Sequence, residues 1–161
     1  MKLMVDLGIP NTDFYDLCCD HGFIGIEALK RENFKRVIFI DQVSEIIDRL
    51  VVRFEKSIQW IPKQSEYLFL CQDVIEIEFS IHGTLVIAGV GGQLILKTLK
   101  GLLDKNKLKA KRIIINPLKN PQKTLEHLNN ILSPYYAHTL TKKCKEGRRE
   151  RFIYVFDLVD L

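Results

Sequence analysis

The sequence predicts a mostly parallel, doubly wound α/β sheet that ends in an antiparallel hairpin. Two observations predict this fold class. Apolar runs of strand length alternate with segments whose apolar residues recur at helical spacing, as in helices that connect parallel strands. The last two strand-like segments instead flank a charged turn around Gly147, which favours a hairpin at the sheet edge. Because neither a linker nor an internal repeat interrupts the pattern, we interpret residues 1–161 as a single domain.

The individual elements follow from periodicity and from turn residues. The second helix has the clearest pattern, because Ile47, Leu50 and Phe54 recur at a spacing that places them on one face. The run 84–88 is apolar almost throughout, as expected of a strand covered on both faces. Pro121 suits the first turn of a helix. The predicted strands are 13–17, 36–40, 67–71, 84–88, 112–115, 135–141 and 151–158. The predicted helices are 23–30, 44–57, 93–103 and 121 to about 132.

Composition excludes several classes of protein. No apolar run approaches the roughly 20 residues that a membrane-spanning helix needs, and the N-terminus does not read as a signal peptide. We therefore expect a cytoplasmic protein without membrane association. Its four cysteines include the adjacent pair Cys18 and Cys19, which matches no common zinc spacing, so no metal site is expected. A net charge of +4 permits an acidic or nucleic-acid partner without requiring one.

Acidic residues follow three successive predicted strands. Asp16 closes the first strand and opens the loop DLCCDHG at 16–22, while Asp41 and Asp73 follow the second and third strands. The carboxyl ends of parallel strands line the ligand crevice of such a sheet. Asp41 is the candidate for the ribose hydroxyls of a nucleoside, because a carboxylate accepts two hydrogen bonds there. Asp73 is the candidate for the adenine edge, with Val74 against the ring.

The loop after the first strand differs from the glycine-rich loop that binds dinucleotides. Cys18 and Asp20 stand where glycines would allow a pyrophosphate to approach the backbone, and an aspartate would repel a diphosphate. A positively charged cofactor without phosphates fits better, which favours S-adenosylmethionine and makes an NAD-linked enzyme the weaker interpretation.

Three motifs resemble those of bacterial tRNA (adenine(22)-N1)-methyltransferases, which are class I, Rossmann-like enzymes. The segments DLCCDHGFI at 16–24, IAGVGGQLI at 87–95 and NP at 116–117 correspond in order and spacing to that family's D-I-G-[ST]-D-H-A-Y-L, I-A-G-M-G-G-x-L-I and Q-P motifs. The resemblance covers nearly the whole chain. It implies an enzyme that transfers a methyl group from S-adenosylmethionine to N1 of an adenine in tRNA. It also implies that the family's C-terminal helical domain is lacking here.

The resemblance and the residue pattern together assign candidate roles. Asp20 or His21 would accept a hydrogen bond from the target adenine, although His21 could equally cap the loop by bonding to backbone. The residues assigned to the cofactor are Asp16, Cys18, Gly22, Asp41, Gln42, Asp73, Val74, Ala88 and Gly89. The residues assigned to the substrate are Gly91, Gly92, Asn116, Pro117, Arg148 and Arg149.

Two features depart from the family pattern and keep an alternative open. Cys18 replaces the first glycine of the loop, and at a positive φ it would cost of order 1 kcal/mol. With the helical domain lacking, either the substrate is a different one or RNA binds to the chain's own surface. The basic hairpin turn that holds Arg148 and Arg149 is the candidate for RNA binding. The alternative is a catalytically silent module that keeps the fold and binds a cofactor or RNA.

Overall fold

The computed structural model describes residues 1–147 and 149–159, and within them seven strands form one sheet in the order β3-β2-β1-β4-β5-β7-β6. The strands are β1 (Asp13–Leu17), β2 (Arg36–Asp41), β3 (Glu66–Cys71), β4 (Ile81–Val90), β5 (Leu108–Pro117), β6 (Tyr136–Glu146) and β7 (Arg149–Leu158). Strands β1 to β5 pair in parallel, whereas β7 pairs antiparallel with β5 and β6. This topology confirms the predicted fold class.

Helices cover both faces of the sheet. They are α1 (Lys2–Asp6), α2 (Phe23–Lys30), α3 (Ser44–Ser57), α4 (Gly92–Asp104) and α5 (Pro121–Leu132), with short 3-10 turns at Ile58–Trp60 and Val74–Glu76. Helices α1, α2 and α3 share one apolar cluster with the sheet, and α4 and α5 share the other. The two-sided cover explains why the central strands are almost entirely apolar.

Local sequence accounts for where several elements begin. In α3, Ile47, Leu50 and Phe54 are buried on one face, as their spacing predicts. Pro121 occupies the first turn of α5, where its missing N–H leaves no hydrogen bond unmade. Helices α2, α3 and α5 and strand β1 have the bounds that the sequence predicts.

Helix α1 and several strand ends differ from the prediction, and the largest difference at a strand end is in β6, which continues to Glu146. Helix α1 was not expected, because its five residues are too few to display a period. Strand β4 begins at Ile81 and β5 at Leu108, several residues before the predicted starts. Gly83, with φ of 79°, lies at a bulge in this pairing, and glycine and lysine residues there resemble a loop in the sequence.

Candidate functional site

The carboxyl ends of four neighbouring strands meet at one edge of the sheet. In the strand pairing, Leu17 lies beside Ile40 on β2 and Ile87 on β4, and Asp41 lies beside Cys71 on β3. The loops that follow these strands therefore converge. This edge holds most of the residues that the sequence assigned to a cofactor.

The loop between β1 and α2 turns through several left-handed residues. Cys18 has φ of 54°, Asp20 has φ of 35° and Gly22 has φ of 64°. The N–H of Cys18 donates to the carbonyl of Ile40 at 2.9 Å, which holds the loop against the end of β2. Cys18 therefore has a positive φ, the case for which the sequence predicts a conformational cost. Non-glycine residues rarely adopt this conformation, and it concentrates at functional sites.

Asp16 lies buried beneath this loop. Its Oδ2 accepts a hydrogen bond of 2.9 Å from the N–H of Gly25 in the first turn of α2. Burial raises the pKa of Asp16 to about 7, the hydrogen bond from Gly25 opposes this, and the carboxylate of Asp41 adds to it. The Asp16 carboxyl is therefore poised to gain or lose a proton near neutral pH.

Asp41 and Asp73 occupy equivalent positions after β2 and β3. Oδ1 of Asp41 accepts a hydrogen bond from the N–H of Val43 at 3.0 Å, and Oδ1 of Asp73 accepts one from Ile75 at 3.0 Å. Each carboxylate thus shapes its own turn with one oxygen, as aspartates commonly do. Asp41 is buried, with only 8% of its surface exposed.

Asp20 and His21 lie at the mouth of the loop, where more than half of each side chain is exposed. Nε2 of His21 lies 3.5 Å from Oδ2 of Asp20. The backbone carbonyl of His21 accepts a hydrogen bond of 3.3 Å from Arg53, whose guanidinium also lies 4.4 Å from the centre of the Phe23 ring. Arg53 therefore anchors the loop to α3.

Thiol chemistry does not fit the cysteines of this loop. Burial raises the pKa of Cys18 to about 11, with the carboxylates of Asp41, Asp16 and Asp73 adding to the effect. Burial likewise raises the pKa of Cys19. Both thiols stay protonated at neutral pH, whereas a nucleophilic cysteine reacts as its thiolate.

Two cavities open at this edge of the sheet and share Cys18, Asp20 and Gly89. The first cavity, of about 320 Å³, lies over the ends of β1, β2 and β3. The second, of about 590 Å³, lies over the ends of β1 and β4. Both fall in the size range of small-molecule sites. Because they share three lining residues, the two cavities are adjacent; we refer to them together as the crevice and to their shared boundary at Cys18, Asp20 and Gly89 as its neck.

Most residues that the sequence assigned to the site line this crevice. In the first cavity they are Cys18, Asp20, Asp41, Gln42, Asp73, Val74 and Gly89. In the second they are Asp16, Cys18, Asp20, His21, Ala88, Gly89 and Asn116. The amide of Asn116 donates to the carbonyl of Phe152 at 2.8 Å, so this residue also ties β5 to β7.

The remaining assigned residues lie elsewhere. Gly22, Gly91, Gly92, Pro117 and Arg149 do not line either cavity. Gly92 packs against α5, where a β-carbon would approach Thr124 Oγ1 to 2.2 Å. Pro117 is buried in β5, and Arg149 is exposed at the start of β7. Arg148 lies outside the described residues.

Other lining residues were missed by sequence reasoning. Val43, Ile46, Leu94, Lys97 and Thr98 line the first cavity, and Met1, Leu3, Met4, Cys144, Lys145, Arg151 and Ile153 line the second. The residues of α3 and α4 could have been found from their position directly after the strand ends. The residues of α1 carry no local signal. The basic residues of the C-terminal hairpin indicate a candidate RNA contact but not a place in the crevice, because only tertiary packing brings them there.

The neck of the crevice has room for a ligand to approach the backbone. Gly89 has φ of 76°, and a β-carbon built there would meet no atom within 4 Å. A side chain would therefore project into open space at the neck. Together with carboxylates on both sides, this opening fits a cofactor that carries a nucleoside at one end and positive charge at the other.

Comparison with known proteins defines the class. A family model described as "Methyltransferase domain" matches residues 2–133, and the chain therefore belongs to that family. A comparison with curated protein sequences gave no significant match.

Solved structures of methyltransferases share the fold. The B. subtilis M1A22 tRNA methyltransferase TrmK has a TM-score of 0.77 and 19% identity over 99% of this chain and 65% of its own. The M. capricolum TrmK in complex with S-adenosyl-homocysteine has a TM-score of 0.73 and 17% identity over 98% of this chain and 66% of its own. The magnesium protoporphyrin IX methyltransferase ChlM from Synechocystis, with bound SAM, has a TM-score of 0.70 and 12% identity over 98% of this chain and 75% of its own. These likenesses confirm the Rossmann-like methyltransferase fold.

Two further findings concern metals and membranes. Within the described part of the chain, no three His, Cys, Asp or Glu side chains cluster in a way that would hold a metal ion. Among the helices of the same residues, none is long and apolar enough to cross a membrane.

Proposed function

We propose that this domain transfers a methyl group from S-adenosylmethionine to N1 of an adenine in tRNA. The observation that carries the proposal is the two-part crevice whose neck is formed by Cys18, Asp20 and Gly89. A methyl donor and its acceptor must meet in line, and two adjacent cavities with a shared boundary suit that requirement. The fold shared with tRNA (m1A22) methyltransferases supports adenine N1 as the acceptor.

The first cavity would hold the nucleoside part of the cofactor. The carboxylate of Asp41 would accept hydrogen bonds from the ribose hydroxyls, since only one of its oxygens is needed for the turn at Val43. Asp73 and Val74 would contact the adenine edge and ring. The buried carboxyl of Asp16, in the second cavity, would attract the positive charges of the methionine part. When bound, S-adenosylmethionine supplies an electrophilic methyl group.

The second cavity would hold the target base. Neutral adenine has a lone pair at N1, so positioning is the main demand on the protein. Methylation places a positive charge on the ring that spreads to the N6 amino group. The carboxylate of Asp20, with His21 beside it at 3.5 Å, would accept a hydrogen bond from N6–H and stabilise that charge. Because both tRNA and S-adenosylmethionine are found in the cytoplasm, we place the activity there.

The test is transfer of a labelled methyl group from S-adenosylmethionine to unfractionated tRNA, followed by mapping of the modified base. We expect N1-methyladenine from the wild type. The Asp20→Asn variant should lose of order tenfold to a hundredfold in kcat while it retains affinity for S-adenosyl-homocysteine, because its charge acts on the product-like transition state. Binding of the cofactor product without transfer to any tRNA would contradict the proposal and favour a catalytically silent module.

A further inference from the structure

A third cavity lies outside the methyltransferase crevice, between α4 and α5. Its volume is about 540 Å³. We call it the α4–α5 groove, and its lining includes Gly92, Lys97, Lys100, Lys119, Asn120 and Lys123. Four of these residues carry a positive charge at neutral pH, whereas the only acids of the two helices, Asp104 and Glu126, do not line the groove.

The four lysines of the groove are available to a ligand. All four side chains are exposed, and none forms an ion pair or a hydrogen bond with any residue that the structure describes. Four unneutralised ammonium groups around one concave surface create a positive potential. Such a surface attracts an anion with several charges.

Other basic segments are partly neutralised. Lys105 forms an ion pair with Glu76 at 2.6 Å, and Lys107 donates a hydrogen bond to the backbone carbonyl of Ile77. In the C-terminal hairpin, Lys143 forms an ion pair with Glu150 at 2.7 Å. In the groove, by contrast, none of the four lysines forms an ion pair with an acid of the described residues.

The first turns of two helices add to the positive charge. Helix α4 begins at Gly92 and α5 follows Asn120, and both residues line the groove. Neither helix has an acidic residue in its first turn or a side-chain cap. Their backbone N–H groups carry partial positive charge, which favours phosphate and other anions.

The groove is continuous with the crevice in which methyl transfer is proposed. Lys97 lines both the groove and the first cavity. Gly92, at the start of α4, comes two residues after Val90, which ends β4 and lines the first cavity. An extended polyanion in the groove would thus reach the edge of the crevice.

We propose that the α4–α5 groove binds the phosphodiester backbone of the RNA substrate. This inference rests on the proposed function, which makes the substrate an RNA. The groove would contact phosphates on the strand that carries the target base, and its lysines would provide affinity without reading sequence.

The test compares Lys100→Glu/Lys123→Glu with the matched control Lys30→Glu/Lys63→Glu. Both double variants change the net charge equally, but Lys30 ends α2 on the other face of the sheet and Lys63 lies in the connection to β3. Neither Lys100 nor Lys123 lines the methyltransferase crevice. We expect the groove variant to bind tRNA at least tenfold more weakly than the control, with the slope of log affinity against log salt reduced by about 1.5.

Each outcome separates this inference from the proposed function. Both variants should bind S-adenosyl-homocysteine like the wild type in calorimetry, which also shows that they fold. If the groove variant and the control bind tRNA with equal affinity, the groove does not bind the RNA backbone, even if the wild type methylates tRNA. Selective loss of tRNA binding, with no methyl transfer by the wild type, would support the groove and contradict the proposed function. Binding of inorganic phosphate at the groove without binding of tRNA would also overturn the inference.

Discussion

Oδ2 of Asp16 lies 2.9 Å from the backbone nitrogen of Gly25, which joins the end of β1 to the first turn of α2 across the cofactor loop. The close approach depends on glycine, because a β-carbon at Gly25 would come within 2.1 Å of the Phe39 ring. The loop that carries Cys18 and Asp20 is thus closed by a hydrogen bond between its two ends. The carboxyl of Asp16, which we propose attracts the positive charges of the cofactor, therefore also holds this loop in place.

The raised pKa of Asp16 predicts a pH-dependent stability. Between about pH 4 and pH 7 the folded chain keeps the Asp16 proton, while the unfolded chain has lost it. Raising the pH across that window therefore lowers the free energy of unfolding, and the effect levels off above pH 7. Since one pKa unit corresponds to about 1.4 kcal/mol, the loss between pH 5 and pH 8 should reach about 2.5 kcal/mol.

The Asp16→Asn variant should lack this pH-dependent change in the free energy of unfolding, because an amide does not ionise. The amide still offers an oxygen to the N–H of Gly25. Chemical denaturation at pH 5 and pH 8 measures the difference. Asp48→Asn, at an exposed position on α3, serves as the control and should follow the wild type. If Asp16→Asn shows the same pH slope as the wild type, the carboxyl is ionised throughout and this account of its environment is wrong.

The left-handed conformation of Cys18 predicts that glycine is preferred there over alanine. Both Cys18→Gly and Cys18→Ala remove the thiol, so the difference in stability between them reports the conformational preference of the backbone. At φ of 54°, an L-residue is strained by of order 1–2 kcal/mol, partly offset by the greater freedom of glycine in the unfolded chain. We expect Cys18→Gly to be the more stable variant by about 1 kcal/mol in denaturant titrations. An alanine variant of equal or greater stability would show that this position is not strained.

The position of Asp41 predicts a large loss of cofactor affinity on truncation. Asp41→Ala removes the carboxylate proposed to hold the ribose, and a charged hydrogen bond typically contributes about 1.5–3 kcal/mol. Affinity for S-adenosyl-homocysteine should fall at least tenfold in calorimetry. Asp41→Asn should fall less, because it keeps an oxygen for Val43, and Asp48→Ala should bind normally. Retained affinity in Asp41→Ala would remove Asp41 from the ribose site.

The sequence was sufficient for the order along the chain of the strands and of helices α2 to α5, and for the residues at the strand ends that line the crevice. The reason is that both follow local rules: Ile47, Leu50 and Phe54 mark a helix face, and Asp16, Asp41 and Asp73 follow strands whose ends must converge. The sequence showed that Cys18 replaces a glycine and left open whether the position has a positive φ; the structure gives a φ of 54°.

Features that depend on packing between distant segments could not be predicted. Met4 and Arg151 come from opposite ends of the chain, yet both line the second cavity. Lys100 and Lys123 lie on different helices, and neither carries a local sign of the groove between them. The early start of β4 was hidden because its bulge at Gly83 breaks the alternation that marks a strand.

Calorimetric titration with S-adenosyl-homocysteine, with NAD as the control ligand, tests the central claim most directly. A methyltransferase crevice should bind S-adenosyl-homocysteine with micromolar affinity and should not bind NAD, because Asp20 would repel a diphosphate. Binding of NAD in preference to S-adenosyl-homocysteine, or of neither ligand, would contradict the account.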